Sequence, residues 1–153
     1  MVGGLLMYSS DSPSHTLRKI QHTGVTQKCE ESPAMPWYLL AERTNYFNFH
    51  RVVRNCSAIT AACVMIMRSV FAENLKVTFG DIDTRLRMRG KSYRIIYTPY
   101  AVLYHHECAT RGKLHPAEDE AYMIRRWRDA FIKGDPCYNP NLDVMKPFRI
   151  RIK

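Results

Sequence analysis

The sequence of 153 residues is 46% hydrophobic and 24% charged, which is the composition of one folded domain and excludes a disordered, collagenous or repetitive chain. Lys and Arg outnumber Asp and Glu by 23 to 14, and the net charge of +9 favours nucleic acid, phosphorylated ligands or an anionic membrane surface as partners. The longest apolar run, Ala61 to Met67, is too short to cross a bilayer.

The first residues and the cysteines both favour a cytoplasmic location. The first ten residues hold no Lys or Arg, and Gly3 and Gly4 interrupt the short apolar stretch there, so we expect no secretory leader. The five cysteines form no C-x-x-C pair, which favours free thiols in a reducing compartment over a zinc site. We expect a single domain over residues 1–153, with a loop-rich segment at 27–50 and an irregular, proline-containing tail at 135–153.

The first half of the chain is predicted to form strands. Val2–Tyr8 and Leu17–Val25 are two predicted strands, separated by a turn rich in Ser, Asp and Pro. Ser57–Met67 is an apolar, partly β-branched run between polar residues, which predicts a strand buried on both faces.

The second half is predicted to alternate between helices and strands. Acidic residues followed by arginines predict a short helix over Asp81–Arg89, which Gly90 ends. Tyr93–Tyr97 and Ala101–His105 are predicted strands, separated at Thr98-Pro99. Pro116 opens a second helix, which Gly134 ends. Its predicted buried face consists of Ala121, Ile124, Trp127 and Phe131.

Three consecutive motifs carry a resemblance to a known family. Asp81-x-Asp83-x-x-x-Arg87 is followed by Tyr97-x-Pro99-x-Ala101 and then by the run Tyr104-His-His-Glu-Cys-Ala-Thr-Arg-Gly112. In order and spacing these motifs resemble the C-terminal half of family 2 glycosyltransferases with the GT-A fold, especially bacterial enzymes that extend surface polysaccharides. The segments Ile20-Gln-His-Thr-Gly-Val25 and Val53 to Cys63 also resemble segments of that family.

The resemblance implies a partial GT-A fold, a three-layer α/β arrangement with a mixed sheet. The family's N-terminal Rossmann-like half, which binds the nucleotide and ends in a D-x-D metal motif, has no counterpart in this sequence. A segment that lines the acceptor site in relatives is reduced to three residues, Ala72 to Asn74. We therefore expect a separate N-terminal half or a second subunit as a partner.

The resemblance also implies a reaction and its residues. The family transfers a sugar from a nucleotide-sugar donor to a hydroxyl of a glycan acceptor with inversion, and uses a divalent metal, Mg²⁺ or Mn²⁺. By the motif match, Asp81 is the catalytic base, although an Asp at this position also commonly caps a helix. His105 is a metal ligand, preferred over His106 because strand neighbours point to opposite faces.

Three further residues are candidates for substrate binding by the same resemblance: Asp83, Glu107 and Arg111. Asp83 and Arg87 also have the spacing of an intrahelical ion pair, and a structural role is the simpler interpretation of both. Glu107 and Arg111 as single residues are more often surface charges.

Two other functions stay open. The chain could be a catalytically inactive remnant of the transferase fold, because half of that fold has no counterpart in it. A small basic nucleic-acid-binding module is the third interpretation, supported only by the net charge and the tyrosines near the arginines. No RNA-recognition pattern, zinc-ligand spacing or clustered basic helix is present, so we expect no nucleic-acid partner. Peripheral contact with the inner membrane face would suit the positive charge.

Overall fold

The computed structural model describes residues 1–9, 20–26, 37–38, 49–70, 80–106, 117–142 and 150. The strands among them, in chain order, are β1 (Val2–Tyr8), β2 (Ile20–His22), β3 (Val25–Thr26), β4 (Trp37–Tyr38), β5 (Arg54–Asn55), β6 (Val64–Met65) and β7 (Ile96–His105). The α-helices are α1 (Gly80–Gly90) and α2 (Ala117–Lys133), and single 3₁₀ turns span Phe49–Arg51 and Arg68–Val70. The predicted α/β class is confirmed.

Five of these strands form one mixed sheet around β1. β1 pairs with β7 in parallel and with β2 and β6 in antiparallel fashion, and β5 pairs antiparallel with the other side of β7. β3 and β4 form a separate antiparallel pair. The sheet is therefore mixed, as predicted, and its one parallel pair joins the first strand to the last.

Two apolar clusters hold the described elements together. Ile82 and Leu86 of α1 are buried against Met123 of α2, with Trp127 and Phe131 partly buried beside them. A second cluster covers the sheet and consists of the buried residues Cys56, Ile59, Ile95 and Tyr97. Among the described residues, the helix pair and the sheet thus contribute to two different apolar clusters.

Both predicted helices are present. α1 covers Gly80–Gly90, one residue longer at each end than predicted, and Arg87 and Arg89 lie in its last turn, where they complement the helix dipole. α2 begins directly after Pro116 and ends before Gly134, as the sequence predicted.

The predicted buried strand over Ser57–Met67 is wrong. Only Val64–Met65 is a strand there, and Met65 and Met67 are exposed. Ile59 is fully buried outside any strand, and it occupies the space beside Gly3, where a Cβ would overlap its side chain. The burial of Ile59 against Gly3 thus accounts for part of the apolar run. A short apolar run does not by itself distinguish a strand from another buried segment.

The predicted break at Thr98-Pro99 is also wrong, because β7 runs without interruption over Ile96–His105. The irregularity is in its pairing with β1, where Gly3 is opposite Tyr97 and Leu5 is opposite Val102. Pro99 lies in this interval, where the hydrogen bonding between β1 and β7 is already interrupted. The N–H that proline lacks therefore costs no regular hydrogen bond between these strands. The predicted strand residues before Ile96 lie outside β7.

The predicted strand Leu17–Val25 is two shorter strands in the described part. β2 ends at His22 and β3 begins at Val25, with Gly24 between them at a φ of +114°. Only glycine adopts this backbone conformation readily, so the turn ends β2 at this point. Residues 17–19 lie outside the described residues.

The buried face of α2 is rotated from the predicted one. Met123 is buried and Trp127 and Phe131 are half-buried, whereas Ile124 is 42% exposed and Ala121 is exposed. α1 packs on the side of Met123, so the apolar stripe runs through residues 123, 127 and 131. Arg125, Arg126 and Asp129 are exposed, as predicted.

Two predicted segments are described only in part. Of residues 27–50, the structure describes 37–38 and 49–50, and of the tail 135–153 it describes 135–142 and 150. The described tail is irregular, with one isolated bridge between Leu142 and Ile150. The division into a single domain stays a prediction. No helix in the described ranges is long and apolar enough to cross a membrane.

Candidate functional site

The parallel pair of β1 and β7 brings polar residues together at its carboxyl end. Tyr8 pairs with His105, so the chain leaves both strands at the same edge of the sheet. Ser9 and His106 follow directly, with Ser9 Oγ 3.1 Å from His106 Nδ1. The carboxyl ends of parallel strands are where α/β proteins commonly bind ligands. We call this region, with Gln21 and His22 of the neighbouring strand, the carboxyl edge.

A bulge in β2 turns Gln21 toward this edge. Leu6 pairs with His22 and Met7 pairs with Ile20, so Gln21 is an extra residue without a partner position on β1. Bulges commonly redirect a side chain next to a functional site. Gln21 is 1% exposed, and its Oε1 lies 2.9 Å from His105 Nδ1. No sequence pattern indicated this contact, because Gln21 and His105 lie on distant segments.

His22 is fully buried beside this pair. The backbone N–H of Thr60 donates a hydrogen bond to its Nε2 at 3.2 Å. The pKa of His22 is lowered to about 3, chiefly by burial and then by the positive charges of Arg85 and Arg54. The imidazole is therefore neutral near pH 7, and its Nε2 is the acceptor nitrogen.

Helix α1 contributes Arg85 to the surroundings of His22. The side chain of Arg85 is 1% exposed, and its charge acts on His22. Asp81 lies in the first turn of α1, four positions before Arg85. Positions four apart share a helix face. The side chain of Asp81 lies outside the described structure. The backbone thus puts the predicted base at the start of α1, on the face of Arg85.

Asp83 lies between the two helices and is 2% exposed. Its Oδ2 accepts from Arg87 Nε at 2.6 Å, and its Oδ1 accepts from Trp127 Nε1 at 2.7 Å. Arg126 Nε lies 3.6 Å from Oδ1, and Arg87 Nη2 also donates to the Tyr122 hydroxyl at 3.2 Å. The spacing predicted the ion pair with Arg87, and these contacts are structural. The role of Asp83 in substrate binding stays a prediction.

Arg54 supports the other side of His22. Its guanidinium lies between the rings of Phe49 and Tyr97, at 4.1 and 4.4 Å from their centroids, and donates to the backbone oxygen of Thr23. Burial lowers its pKa. Because a guanidinium stacks well between aromatic faces, Arg54 fixes the turn after β2 against the sheet. No sequence pattern indicated this role of Arg54.

The remaining predicted site residues are only partly described. Glu107 and Arg111 lie outside the described residues. His105 is half-buried and His106 is exposed, so one of the pair faces inward. Within the described ranges, no three His, Cys, Asp or Glu side chains come together to hold a metal ion. The metal role of His105 stays a prediction, and its Nδ1 lies 2.9 Å from Gln21 Oε1.

Two curated proteins are similar to this chain. An uncharacterised protein, y4gI of Sinorhizobium fredii, is 39% identical over 140 residues, which cover 81% of this chain and 15% of that protein. The O-antigen biosynthesis protein RfbC of Myxococcus xanthus is 30% identical over 137 residues, which cover 82% of this chain and 11% of that protein. The chain thus spans a small part of the length of both relatives.

No protein-family model matches the chain, and no solved structure matches it either. The name of RfbC associates that protein with O-antigen biosynthesis.

Proposed function

We propose that the chain is the acceptor-side part of an inverting glycosyltransferase of family 2, with a partial GT-A fold. It would transfer a sugar from a nucleotide-sugar donor to a hydroxyl of a glycan acceptor. The motif order supports this, and so does the similarity to part of a protein named for O-antigen biosynthesis. The N-terminal nucleotide-binding half would come from a separate segment or subunit.

The observation that carries the proposal is the position of α1. Its first turn holds Asp81, one turn before Arg85, and the charge of Arg85 acts on His22 at the carboxyl edge. A carboxylate in the first turn of a helix near the carboxyl ends of parallel strands would suit a general base.

In the proposed reaction, Asp81 accepts the proton of the acceptor hydroxyl. The hydroxyl oxygen forms a bond to the anomeric carbon of the donor sugar, the bond from that carbon to the diphosphate oxygen breaks, and the nucleoside diphosphate leaves with the electron pair. Positioned general bases accelerate such steps by roughly 10² to 10⁴-fold. Glu107 and Arg111 would bind the diphosphate or the acceptor, Arg111 through its forked donors.

A divalent metal, Mg²⁺ or Mn²⁺, would neutralise the charge of the departing diphosphate when bound. His105 Nε2 would supply one ligand, and the others would come from the nucleotide-binding half. The reaction would take place in the cytoplasm. The net charge of +9 favours peripheral contact with an anionic inner membrane face.

Sugar transfer by the chain joined to a nucleotide-binding half tests the proposal. We expect the chain alone to bind UDP-, GDP- and dTDP-sugars weakly or not at all by calorimetry with Mn²⁺, and the joined protein to transfer one of them to an oligosaccharide. If the joined protein binds a donor and transfers nothing, the chain is an inactive remnant of the fold. Tight donor binding by the chain alone would contradict the division of roles.

A further inference from the structure

The second half of β7 is apolar and yet exposed. Five consecutive residues, 100–104, are exposed, and Tyr100 and Tyr104 are exposed to 85% and 64%. Successive side chains of a strand point to opposite faces, so both faces of residues 100–104 meet solvent. A strand of a parallel pair is normally covered on both faces, which is why it can be apolar throughout. Residues 100–104, the exposed stretch of β7, thus have the composition of a covered strand and the exposure of an uncovered one.

The exposed stretch also lies at an edge of the sheet within the described part of the chain. β7 pairs with β1 on one side over residues 102–105, and with β5 on the other side at Ile96 and Tyr97. No described strand continues along β7 beyond β5 on that side. An open edge strand can take up a further strand through backbone hydrogen bonds. The exposed stretch therefore offers apolar side chains and an open backbone edge together.

This edge has none of the charged side chains that usually protect an edge strand from pairing. Residues 95–104 contain no Asp, Glu, Lys or Arg, although 24% of the chain is charged. Pro99 precedes the exposed stretch, and every residue inside the stretch has its backbone N–H. The sequence thus leaves this edge able to pair.

The order of side chains in the exposed stretch suits a second copy of the same chain. In an antiparallel pair, a two-fold axis at Val102 puts Val102 opposite itself and Tyr100 opposite Tyr104 of the second copy. Positions 100, 102 and 104 lie on one face of the strand, so three successive cross-strand pairs form on that face. Aromatic side chains directly opposite each other stabilise antiparallel strands. No like charges meet in this register, because the stretch is uncharged.

The exposed area fits a small dimer interface. Because an aromatic side chain can bury roughly 150–250 Å², Tyr100 and Tyr104 offer roughly 300 Å² per copy at their observed exposures. With the other three residues and the backbone, two copies would remove on the order of 1,000 Å² from solvent, the lower limit for a specific interface. The net charge of +9 on each copy opposes association. We therefore expect a weak dimer that salt strengthens.

We propose that β7 is an interaction surface at which two copies of the chain pair through residues 100–104, antiparallel about Val102, so that the sheet continues from one copy into the other. This pairing does not depend on the proposed sugar transfer, because none of these residues belongs to the carboxyl edge. A nucleotide-binding half that covers the same stretch is the alternative occupant.

Sedimentation equilibrium of the unmodified full chain tests the association. We expect the mass to rise from 17.9 kDa toward twice that value with increasing concentration, and to rise further at higher salt. A mass of 17.9 kDa at every concentration up to about 1 mM would overturn the proposal. If amides 100–104 of such a monomer became protected from hydrogen exchange only in the joined protein, the stretch would belong to the nucleotide-binding half instead.

A charge at the two-fold axis tests the place of contact. Val102→Lys puts two ammonium groups opposite each other and should weaken dimerisation roughly tenfold or more. Met65→Lys adds the same charge at a 77% exposed position of β6 and should change the dissociation constant by less than about twofold. Equal weakening by both changes would show that net charge controls the association, and would overturn the assignment to β7.

Two double variants with the same net charge test the register. Tyr100→Lys with Tyr104→Glu forms two opposite-charge pairs across the axis. Tyr100→Lys with Leu103→Glu forms none, because position 103 lies on the other face of the strand. The first protein should dimerise roughly tenfold more tightly than the second. Equal dissociation constants of the two proteins would overturn the antiparallel register about Val102.

Discussion

The two polar groupings that meet helix α1 bury different titratable groups. On the side of α2, the buried carboxylate of Asp83 accepts hydrogen bonds from Arg87 and Trp127, so each charge has an opposite partner. On the side of the sheet, the buried group is the imidazole of His22, whose pKa is lowered to about 3 by burial and by the neighbouring Arg85 and Arg54.

The lowered pKa of His22 marks the grouping on the sheet side as strongly perturbed. Strongly perturbed titratable groups concentrate at functional sites, although structural clusters also contain them. The carboxyl edge combines such a group with a β-bulge and with the ends of two parallel strands. This difference is why we assign structure to Asp83 and function to the carboxyl edge.

Replacement of Asp83 tests the structural half of the comparison and has the largest expected effect on stability. Asp83→Ala removes the acceptor of both Arg87 and the Trp127 indole, so the free energy of unfolding should fall by about 2–4 kcal/mol in urea unfolding. Asp129→Ala, at an exposed position of α2, should change it by less than about 0.5 kcal/mol. Equal effects of the two changes would show that the Asp83 cluster does not join the helices.

The pH dependence of the unfolding free energy tests the grouping around His22. The pKa of His22 is about 3 in the folded chain and 6.5 as its ordinary value, so between these values the unfolded chain binds more protons at this residue. The contribution of His22 is complete above pH 6.5 and is lost as the pH falls toward 3. Its slope is about 1.4 kcal/mol per pH unit in the middle of this window.

His22→Gln removes this titration and keeps an acceptor for Thr60 N–H. The difference in unfolding free energy between the unmodified chain and this variant should therefore change by that slope from pH 6 to pH 4, measured by urea unfolding. His106→Gln, at an exposed position, should retain the slope of the unmodified chain. A slope unaffected by His22→Gln would mean that His22 is not held neutral by burial.

The smallest expected effect comes from the packing of the Ile59 side chain against Gly3. A Cβ at Gly3 would overlap Ile59, whereas a Cβ at Gly90 would have no atom within 4 Å. Gly3→Ala should lower the free energy of unfolding by about 1–2 kcal/mol, because the packed Ile59 must move. Gly90→Ala should leave it unchanged within about 0.5 kcal/mol. Similar changes in unfolding free energy for the two variants would contradict the close packing of Ile59 against Gly3 of β1.

Local chemistry predicted the helices well, and long-range contacts explain the errors. Charge order and Gly90 predicted α1, and the spacing of Asp83 and Arg87 predicted their ion pair. The burial of Ile59 depends on Gly3, which lies on a distant strand, and the continuity of β7 through Pro99 depends on an interrupted ladder with β1. No single segment contains that information.

In the candidate site too, local features were predictable and long-range contacts were not. The choice of His105 over His106 by strand alternation stays a prediction, with His105 partly buried and His106 exposed. The roles of Gln21, His22 and Arg54 depend on a bulge, a parallel strand pair and an aromatic stack, which form only in the folded chain. The base role of Asp81 and the metal role of His105 stay predictions.

The most direct test of the central claim compares Asp81→Asn with Asp83→Asn in a joined protein that transfers sugar. Asp81→Asn keeps the shape and helix-capping ability of the side chain and removes the proton acceptor, so turnover should fall by about 10² to 10⁴-fold with donor binding and unfolding free energy little changed. Asp83→Asn should lower the unfolding free energy and reduce turnover much less. Near-normal turnover of Asp81→Asn, with the loss in Asp83→Asn instead, would contradict the division of roles between the two faces of α1.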